Sequence, residues 1–450
     1  MDTPICDFVR DYADSGALRL HMPGHKGAGP LERLDITEIE GADVLYQSEG
    51  IIRRSEENAA ALFGTARTLY STEGSSLAIR AMLYLALLHA RERGKRPCIA
   101  AGRNAHKVFL TGAALLDLEI HWLCPAGRLL SCPLTAAGLE EALGAMETPP
   151  AAVYVTSPDY LGNMLDIAAL ARVCKQFEAL LLVDNAHGAY LNFLPGAPHP
   201  MRLGADLCCD SAHKTLPVLT GGAYLHISKT APAGLAERAE QAMALFASTS
   251  PSYLLLQSLD AANARLAGDY PAQLEAMARE AAALKGRLEA LGYVFAGDEP
   301  LKLSLRAKAY GYTGQELAAL LGAAGIVCEF ADPDFLVLML SPATGTAGLE
   351  RLEAALTAIP RRPAIETRPP RLPRPAPVLS PREALLAPAE LLPVEEALGR
   401  ILAAPGVSCP PAVPILTCGE AITEEAIECF RYYGIEACRV VKCRAGWRHR

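Results

Sequence analysis

Residues 55 to 230 of this 450-residue chain predict an α/β fold built on a mainly parallel sheet, and three observations support that reading. Short β-rich apolar runs alternate with helical stretches of moderate length. The intervening stretches space their apolar residues at three and four, the period of an amphipathic helix. The alternation also brings reactive polar residues to strand C-termini, where open α/β sheets bind ligands.

In chain order, the expected strands are CIAAG at 98–102, AVYVTS at 152–157, a run over 181–184 ending in Asp184, ADLCCDS at 205–211 and GAYLHI at 222–227. DIAALARVCKQFEA at 166–179 reads as the clearest connecting helix. A smaller α+β region follows. It has Ala- and Leu-rich helical stretches over 233–292, the strand LKLSL, a helix in TGQELAALLGAAG, the strand FLVLML at 335–340 and a helix over 347–358. ETRPPRLPRPAP at 366–377 breaks all periodicity, because proline removes backbone donors and biases its neighbours toward extended chain. The expected division is therefore an N-terminal arm with a large domain (1–240), connecting helices with a small α+β domain (241–365), a Pro-rich linker (366–378) and a C-terminal α+β module (379–450).

Composition excludes several classes. Hydrophobic residues at 51% and charged residues at 20% fit a globular chain, not a disordered or collagenous one. With 42 basic and 50 acidic residues, the net charge of -8 gives no electrostatic footprint for nucleic acid or an anionic membrane. The start MDTPICDFVRDYADSG is acidic where an export signal needs a basic start and an apolar core, and the apolar runs are too short to span a bilayer, so a cytoplasmic protein is expected. Thirteen cysteines without a C-x-x-C pair predict mostly buried free thiols. No metal site is expected: Pro23 and Gly24 break any helical pairing of His21 with His25, and the cysteines at 409, 418, 429, 438 and 443 lack ligand spacing. Gly-rich TGG at 220–222 reads as a turn.

The chemistry concentrates in Asp210-Ser211-Ala212-His213-Lys214-Thr215-Leu216, just after an expected strand. A lysine beside a histidine at a strand end can act as a Schiff-base nucleophile when its surroundings lower its pKa, whereas a lone loop lysine is ordinarily solvated. Upstream, Asp184 brings a carboxylate to the same edge, with His187 three residues on. Pyridoxal phosphate (PLP) chemistry requires such a lysine, an acid to keep the pyridinium nitrogen protonated, and donors for the phosphate. Ser71-Thr72-Glu73-Gly74-Ser75-Ser76 precedes the helical run LAIRAMLYLALLHA, so hydroxyls and free backbone N–H groups meet at a helix N-terminus that favours an anion. The same residues also make ordinary N-caps. Ser211 offers a further phosphate contact. In Arg103-Asn104-Ala105-His106-Lys107, His106 is placed either to stack on a flat ring or to pack as a structural histidine.

Together these segments resemble the Orn/Lys/Arg decarboxylase family of fold-type I PLP enzymes, which have the aspartate aminotransferase-like fold. The resemblance begins at His21-Met22-Pro23-Gly24-His25-Lys26-Gly27 and continues through GSS at 74–76, RNAHK at 103–107, TSPDYLG at 156–162, DNAHGAYLNF at 184–193 and SAHKTLPVLTGGAYLH at 211–226. It extends to TSPSYLLLQSLD at 249–260, SPREALL at 380–386 and the EEALGRI and CPPAVPILTCGE segments.

The resemblance implies that Lys214 holds PLP covalently, that Asp184 pairs with the pyridinium nitrogen and that His106 stacks on the ring. It also implies that His187 supports the cofactor's phenolic edge and that Gly74, Ser75, Ser76, Ser211 and His213 surround the phosphate or the lysine. Lys214 or His213 would then protonate the product carbon after CO2 leaves. The expected activity is decarboxylation of lysine, arginine or ornithine to an amine, a step of the kind that feeds polyamine biosynthesis. A homodimer is implied, with TSPSYLLL as the segment a partner contributes. Because the chain starts directly at the arm, decameric assembly through an N-terminal wing domain is not expected.

The sequence departs from the family string at Asn185, where an acid is usual, at Glu73 beside the phosphate loop, and at Cys409-Pro410-Pro411-Ala412-Val413-Pro414 and Cys418-Gly419-Glu420. These departures leave the cofactor anchors in place and bear on substrate choice, for which Glu329 and Asp332 are candidate partners of a basic side chain, or simply solvated acids. Two other functions compete: a different fold-type I reaction, such as amino-group transfer or another lyase step, and a PLP-binding homologue without turnover.

Overall fold

The computed structural model of the chain describes residues 1–124, 131–409 and 413–442, apart from the side chains of 408, 409 and 413. Of the positions singled out above, Pro410, Pro411, Ala412 and Cys443 lie outside the described residues. Two compact units form. The first comprises Met1–Pro97, Leu143–Ser157 and Asp166–Ala276, and the second Cys98–Ala142, Pro158–Leu165 and Met277–Arg450. The first seven strands are β1 (Arg67–Ser71), β2 (Cys98–Gly102), β3 (Glu119–Leu123), β4 (Ala152–Thr156), β5 (Leu180–Asp184), β6 (Leu207–Asp210) and β7 (Ala223–Ile227).

In the first unit the strand order is β1-β7-β6-β5-β4. β5 runs parallel to β4 and to β6, with Asp184 opposite Thr156 on one side and Cys209 on the other. Every residue of β5 is buried, as expected of a parallel strand covered on both faces. β7 runs antiparallel to β6 and to β1. The expected strand at GAYLHI therefore exists but reverses direction. Its link Ser211–Gly222 holds only one turn of helix, too little for the crossover a parallel return needs. β1 was not expected from the sequence, because Leu69 and Tyr70 are its only apolar residues.

Helices α1 (Pro4–Asp14), α2 (Ile51–Phe63) and α3 (Ser75–Glu92) belong to the same unit. The first turn of α1 is capped from far along the chain: Asp260 Oδ2 accepts the Ile5 and Cys6 amides at 3.0 and 2.9 Å. α2 ends at Gly64, whose φ of +71° closes the helix in the left-handed region.

α2 also carries Glu56 into the interior, where Oε1 accepts the Tyr70 amide at 2.9 Å and Oε2 has no hydrogen-bond partner. Burial pushes this carboxyl up to about 8, against the opposing pull of the Tyr70 amide and Arg67. The folded chain thus keeps a proton that the unfolded chain releases, so this group's stabilisation is present at low pH and is lost as pH rises from about 4.5 to about 8. Glu56→Gln should leave the urea midpoint nearly unchanged at pH 5. At pH 8.5 it should raise stability over the wild type by roughly 2–4 kcal/mol. Equal midpoints at both pH values would show that Glu56 is ionised in the fold throughout.

In the second unit β2 and β3 pair in parallel, with Ala101 opposite Trp122. β3 also went unexpected, because Glu119 and His121 interrupt its apolar residues. α4 (Lys107–Leu116) follows β2. A four-stranded antiparallel sheet contains Lys302–Arg306 and Phe335–Met339, close to the two strands expected there. No regular helix or strand lies between Ile359 and Pro377, as the proline run predicts. The C-terminal segment does not pack as a separate bead: Leu402, Ile415, Leu416 and Phe430 share one apolar core with Phe330, Phe335 and Val337.

Among the described residues, no helix is long and apolar enough to cross a membrane. The described cysteines are all free thiols, most of them buried.

Candidate functional site

β5 and β6 are neighbours, and the two chemical signals of the sequence leave their C-terminal ends. Asp184 is the last residue of β5 and is buried. Its Oδ2 accepts the Tyr154 hydroxyl at 2.9 Å and its Oδ1 accepts the Ala186 amide at 3.2 Å. Burial, with Asp184 next to it, raises the Tyr154 phenol well above its ordinary range, so Tyr154 stays a neutral donor to the carboxylate.

After β6, the single turn Ala212–Thr215 carries His213 and Lys214. Lys214 is exposed and its Nζ lies 3.1 Å from Nε2 of the buried His187. His213 is pinned: its Nδ1–H donates to the Gly222 carbonyl at 2.9 Å, and its backbone N–H donates to the same oxygen at 3.1 Å. Burial lowers its pKa and neighbouring Lys214 adds to this, while the Gly222 bond works the other way. The TGG segment is the expected turn, with Gly221 at φ +103°.

α3 begins beside this edge. Its N-cap is Gly74, which has no side chain to satisfy the first-turn amides and whose φ of +68° suits glycine. The Gly74 amide donates to the Gly221 carbonyl at 2.7 Å, which ties the α3 N-terminus to the turn after Lys214. Ser211 Oγ donates to Ser75 Oγ at 2.8 Å, and Ser76 is half-buried in the same first turn. Glu73, whose charge sits awkwardly beside an anion site, is turned elsewhere: its carboxylate accepts the Ser248 amide at 2.7 Å, at the start of the TSPS segment.

One unit of the fold thus brings together Lys214, His213, His187, Asp184, Gly74, Ser75, Ser76 and Ser211. His106 lies in the other unit, where it caps α4 and its Nδ1 accepts the Val108 amide at 3.3 Å. The residues fit PLP by their chemistry. An 18-residue helix offers uncapped amides with serine hydroxyls for a phosphate, a buried strand-end carboxylate suits a pyridinium, and an exposed lysine amine lies beside a histidine.

Beneath the edge lies a network that sequence reasoning did not assign. Asp210 is fully buried; its Oδ2 accepts Nε2–H of both His199 and His226 at 3.0 Å, and its Oδ1 accepts Asn185 Nδ2 at 2.6 Å. Burial pushes this carboxyl up, but the two histidines overrule it by charge and hydrogen bonding and hold it well below the usual range. His199, Cys208 and Asp210 also bring potential ligand atoms within 4.8 Å of one another. The imidazoles are already spent, however, since His199 Nδ1 accepts the Met201 amide and His226 Nδ1 pairs with Thr68.

The other sequence candidates have local duties. His25 pairs with Asp35 at 3.2 Å, and His21 pairs with the Tyr12 hydroxyl. Asp332 is buried, not solvated: it caps a hairpin by accepting the Asp334 and Phe335 amides at 2.7 and 2.6 Å, and burial pushes it up to about 6. Glu329 is exposed and accepts the Tyr160 hydroxyl at 2.9 Å.

Known proteins share much of this sequence and its fold. The chain is 30% identical over 466 residues to "Arginine decarboxylase" of Bacillus subtilis (strain 168), covering 95% of this chain and 92% of that one. It is also 30% identical over 468 residues to the arginine decarboxylase of Halalkalibacterium halodurans, covering 95% and 93%. Among solved structures, the Francisella novicida lysine decarboxylase LdcF superposes with a TM-score of 0.78 at 17% identity, covering 98% of this chain and 81% of that one, and so shares its fold. Residues 3–291, the segment that holds the candidate site residues named above, match the family described as "Orn/Lys/Arg decarboxylase, major domain". The chain belongs to the Orn/Lys/Arg decarboxylase family, whose members use PLP.

Proposed function

We propose that this protein is a cytoplasmic, homodimeric PLP enzyme that decarboxylates a basic amino acid, with arginine the first substrate to test. The observation that carries the reading is the 3.1 Å approach of Lys214 Nζ to His187, at the C-terminal end of the strand beside the one that ends in Asp184. The relatives named arginine decarboxylase support the choice of arginine over lysine and ornithine.

When bound, PLP supplies an electron sink for the pair released with CO2. The chain's own residues do the rest. Lys214 is the covalent anchor, and His187 orients its amine. Asp184, fixed as a carboxylate acceptor by Tyr154 and Ala186, holds a proton on the pyridine nitrogen. The first-turn amides of α3, with Ser75, Ser76 and Ser211, hold the phosphate. Because His213 donates through Nδ1, its Nε2 is the ring atom that can carry a proton, so His213 Nε2 or Lys214 Nζ returns one to the carbon that loses CO2.

The test is release of labelled CO2 from carboxyl-labelled arginine, lysine and ornithine by the purified protein with PLP. The expected result is a yellow protein that runs as a dimer on sizing and releases CO2, fastest from arginine. A colourless protein that releases none from any of the three would overturn the reading, and a fully active monomer would overturn its dimeric part.

A further inference from the structure

Arg103 lies three residues before His106, is buried, and has its guanidinium held by the C-terminal segment. Nη2 donates to Glu420 Oε2 at 2.8 Å and Nη1 to Thr417 Oγ1 at 2.9 Å. The same glutamate oxygen accepts the Thr417 amide at 2.8 Å. Glu420 is 3% exposed, at the end of a turn that only glycine can make: Gly419 has φ +90°, and a Cβ there would meet the Leu379 carbonyl oxygen at 2.1 Å.

The contact continues toward α4. The Arg103 guanidinium lies 5.1 Å from the centroid of the Trp122 ring, and that ring lies 6.0 Å from the ring of Phe109. Phe109 is in the first turn of α4, and its amide donates to the His106 carbonyl at 2.8 Å. At the other end of α4, Arg382 donates to the carbonyls of Ala114 and Leu115 at 3.4 and 3.2 Å. The C-terminal segment therefore holds the C-terminal end of α4 directly through Arg382, and the loop before its N-terminus through the buried ion pair at Arg103.

A buried ion pair is a poor source of net stability, because removing two charges from water offsets most of their attraction. The proposed chemistry uses neither Arg103 nor Glu420. What the pair does supply is a fixed geometry for the loop it holds. We infer that Arg103 and Glu420 are positioning residues that set the orientation of His106, so that the C-terminal segment tunes the reaction without touching substrate; this rests on the proposed function and on the stacking role that the family resemblance implies for His106.

Glu420→Gln keeps the shape and removes the charge. In the full-length protein it should speed backbone amide exchange over residues 104–110, with or without cofactor, while exchange elsewhere stays as in the wild type. With PLP bound, kcat should fall by about 10²-fold, the order expected when a reacting group is misplaced by about an ångström. KM should stay within about two-fold, and Glu420→Asp should recover part of the loss.

A folded Glu420→Gln with wild-type kcat and wild-type exchange over 104–110 would overturn the inference. So would a loss of stability spread over the whole protein with no local change in exchange. Should Glu420→Gln fail to fold, Arg382→Ala carries the test, because that side chain is exposed: faster exchange over 104–116 supports the grip on α4, and unchanged exchange overturns it. A wild type that neither turns yellow nor releases CO2 would overturn the proposed function instead, and the exchange comparison then decides the clamp alone.

Discussion

Lys214→Ala should purify in normal yield, stay colourless with PLP and lose decarboxylation by at least ~10⁴-fold, the scale seen when a covalent catalytic group is removed. The stability part follows from exposure. Lys214 projects from one helical turn after β6, and the turn is held by backbone bonds such as Lys214 N–H to the Ser211 carbonyl at 3.0 Å, which alanine keeps. Its urea midpoint should therefore stay within about 0.5 kcal/mol of the wild type. The chemical part follows from geometry: none of the other groups in the cluster is an amine, and His187, left with no amine to orient, cannot substitute for it. Absorption and labelled-CO2 release measure the two halves separately. Retained turnover in Lys214→Ala would remove the lysine from the mechanism.

Asp210→Ala should do the reverse, destabilising the fold by about 3–5 kcal/mol, the cost of removing one partner from a buried charged set. Three donors, from His199, His226 and Asn185, converge on a carboxylate with no exposed surface. Without it they remain in a dry interior with nothing to accept them. Asp210→Asn, which keeps one acceptor oxygen, should fall between the two. The network also has a pH signature. Burial holds the His226 imidazole below its ordinary value, against the opposing pull of Asp210, so the unfolded chain binds a proton there that the folded chain does not. This contribution is complete above about pH 6.5 and is lost as pH falls through that value. A urea midpoint for Asp210→Ala within about 1 kcal/mol of the wild type would show that the histidines find other acceptors.

Both residues sit in the same heptapeptide, yet only Lys214 could be read from it. Its signal is local, a lysine beside a histidine after an apolar run, and Asp184 carries the same kind of signal at the end of β5. Asp210 acquires its meaning from residues 185, 199 and 226, which no spacing rule connects. Arg103 and Glu420 are likewise 317 positions apart and meet only in the folded chain. Asn185 departs from the family string, where an acid is usual; in the fold its amide is a donor to Asp210, a place where a second carboxylate would meet repulsion. The strand content was legible where apolar residues were dense and failed at β1 and β3, where pairing with neighbours outweighs a weak local pattern.

The pairing of Asp184 with Cys209 across β5 and β6 has a meaning for how such a protein diversifies. Adjacent strands keep a gauge of about 4.8 Å, set by backbone hydrogen bonds that do not depend on side-chain identity. The acid and the lysine hang from two rails of that gauge. Insertions in the helices and loops between the strands can lengthen or reshape the surroundings of these two side chains without moving them apart. Under the proposed function, heritable change in what is decarboxylated would thereby be separated from the residues that carry out the decarboxylation.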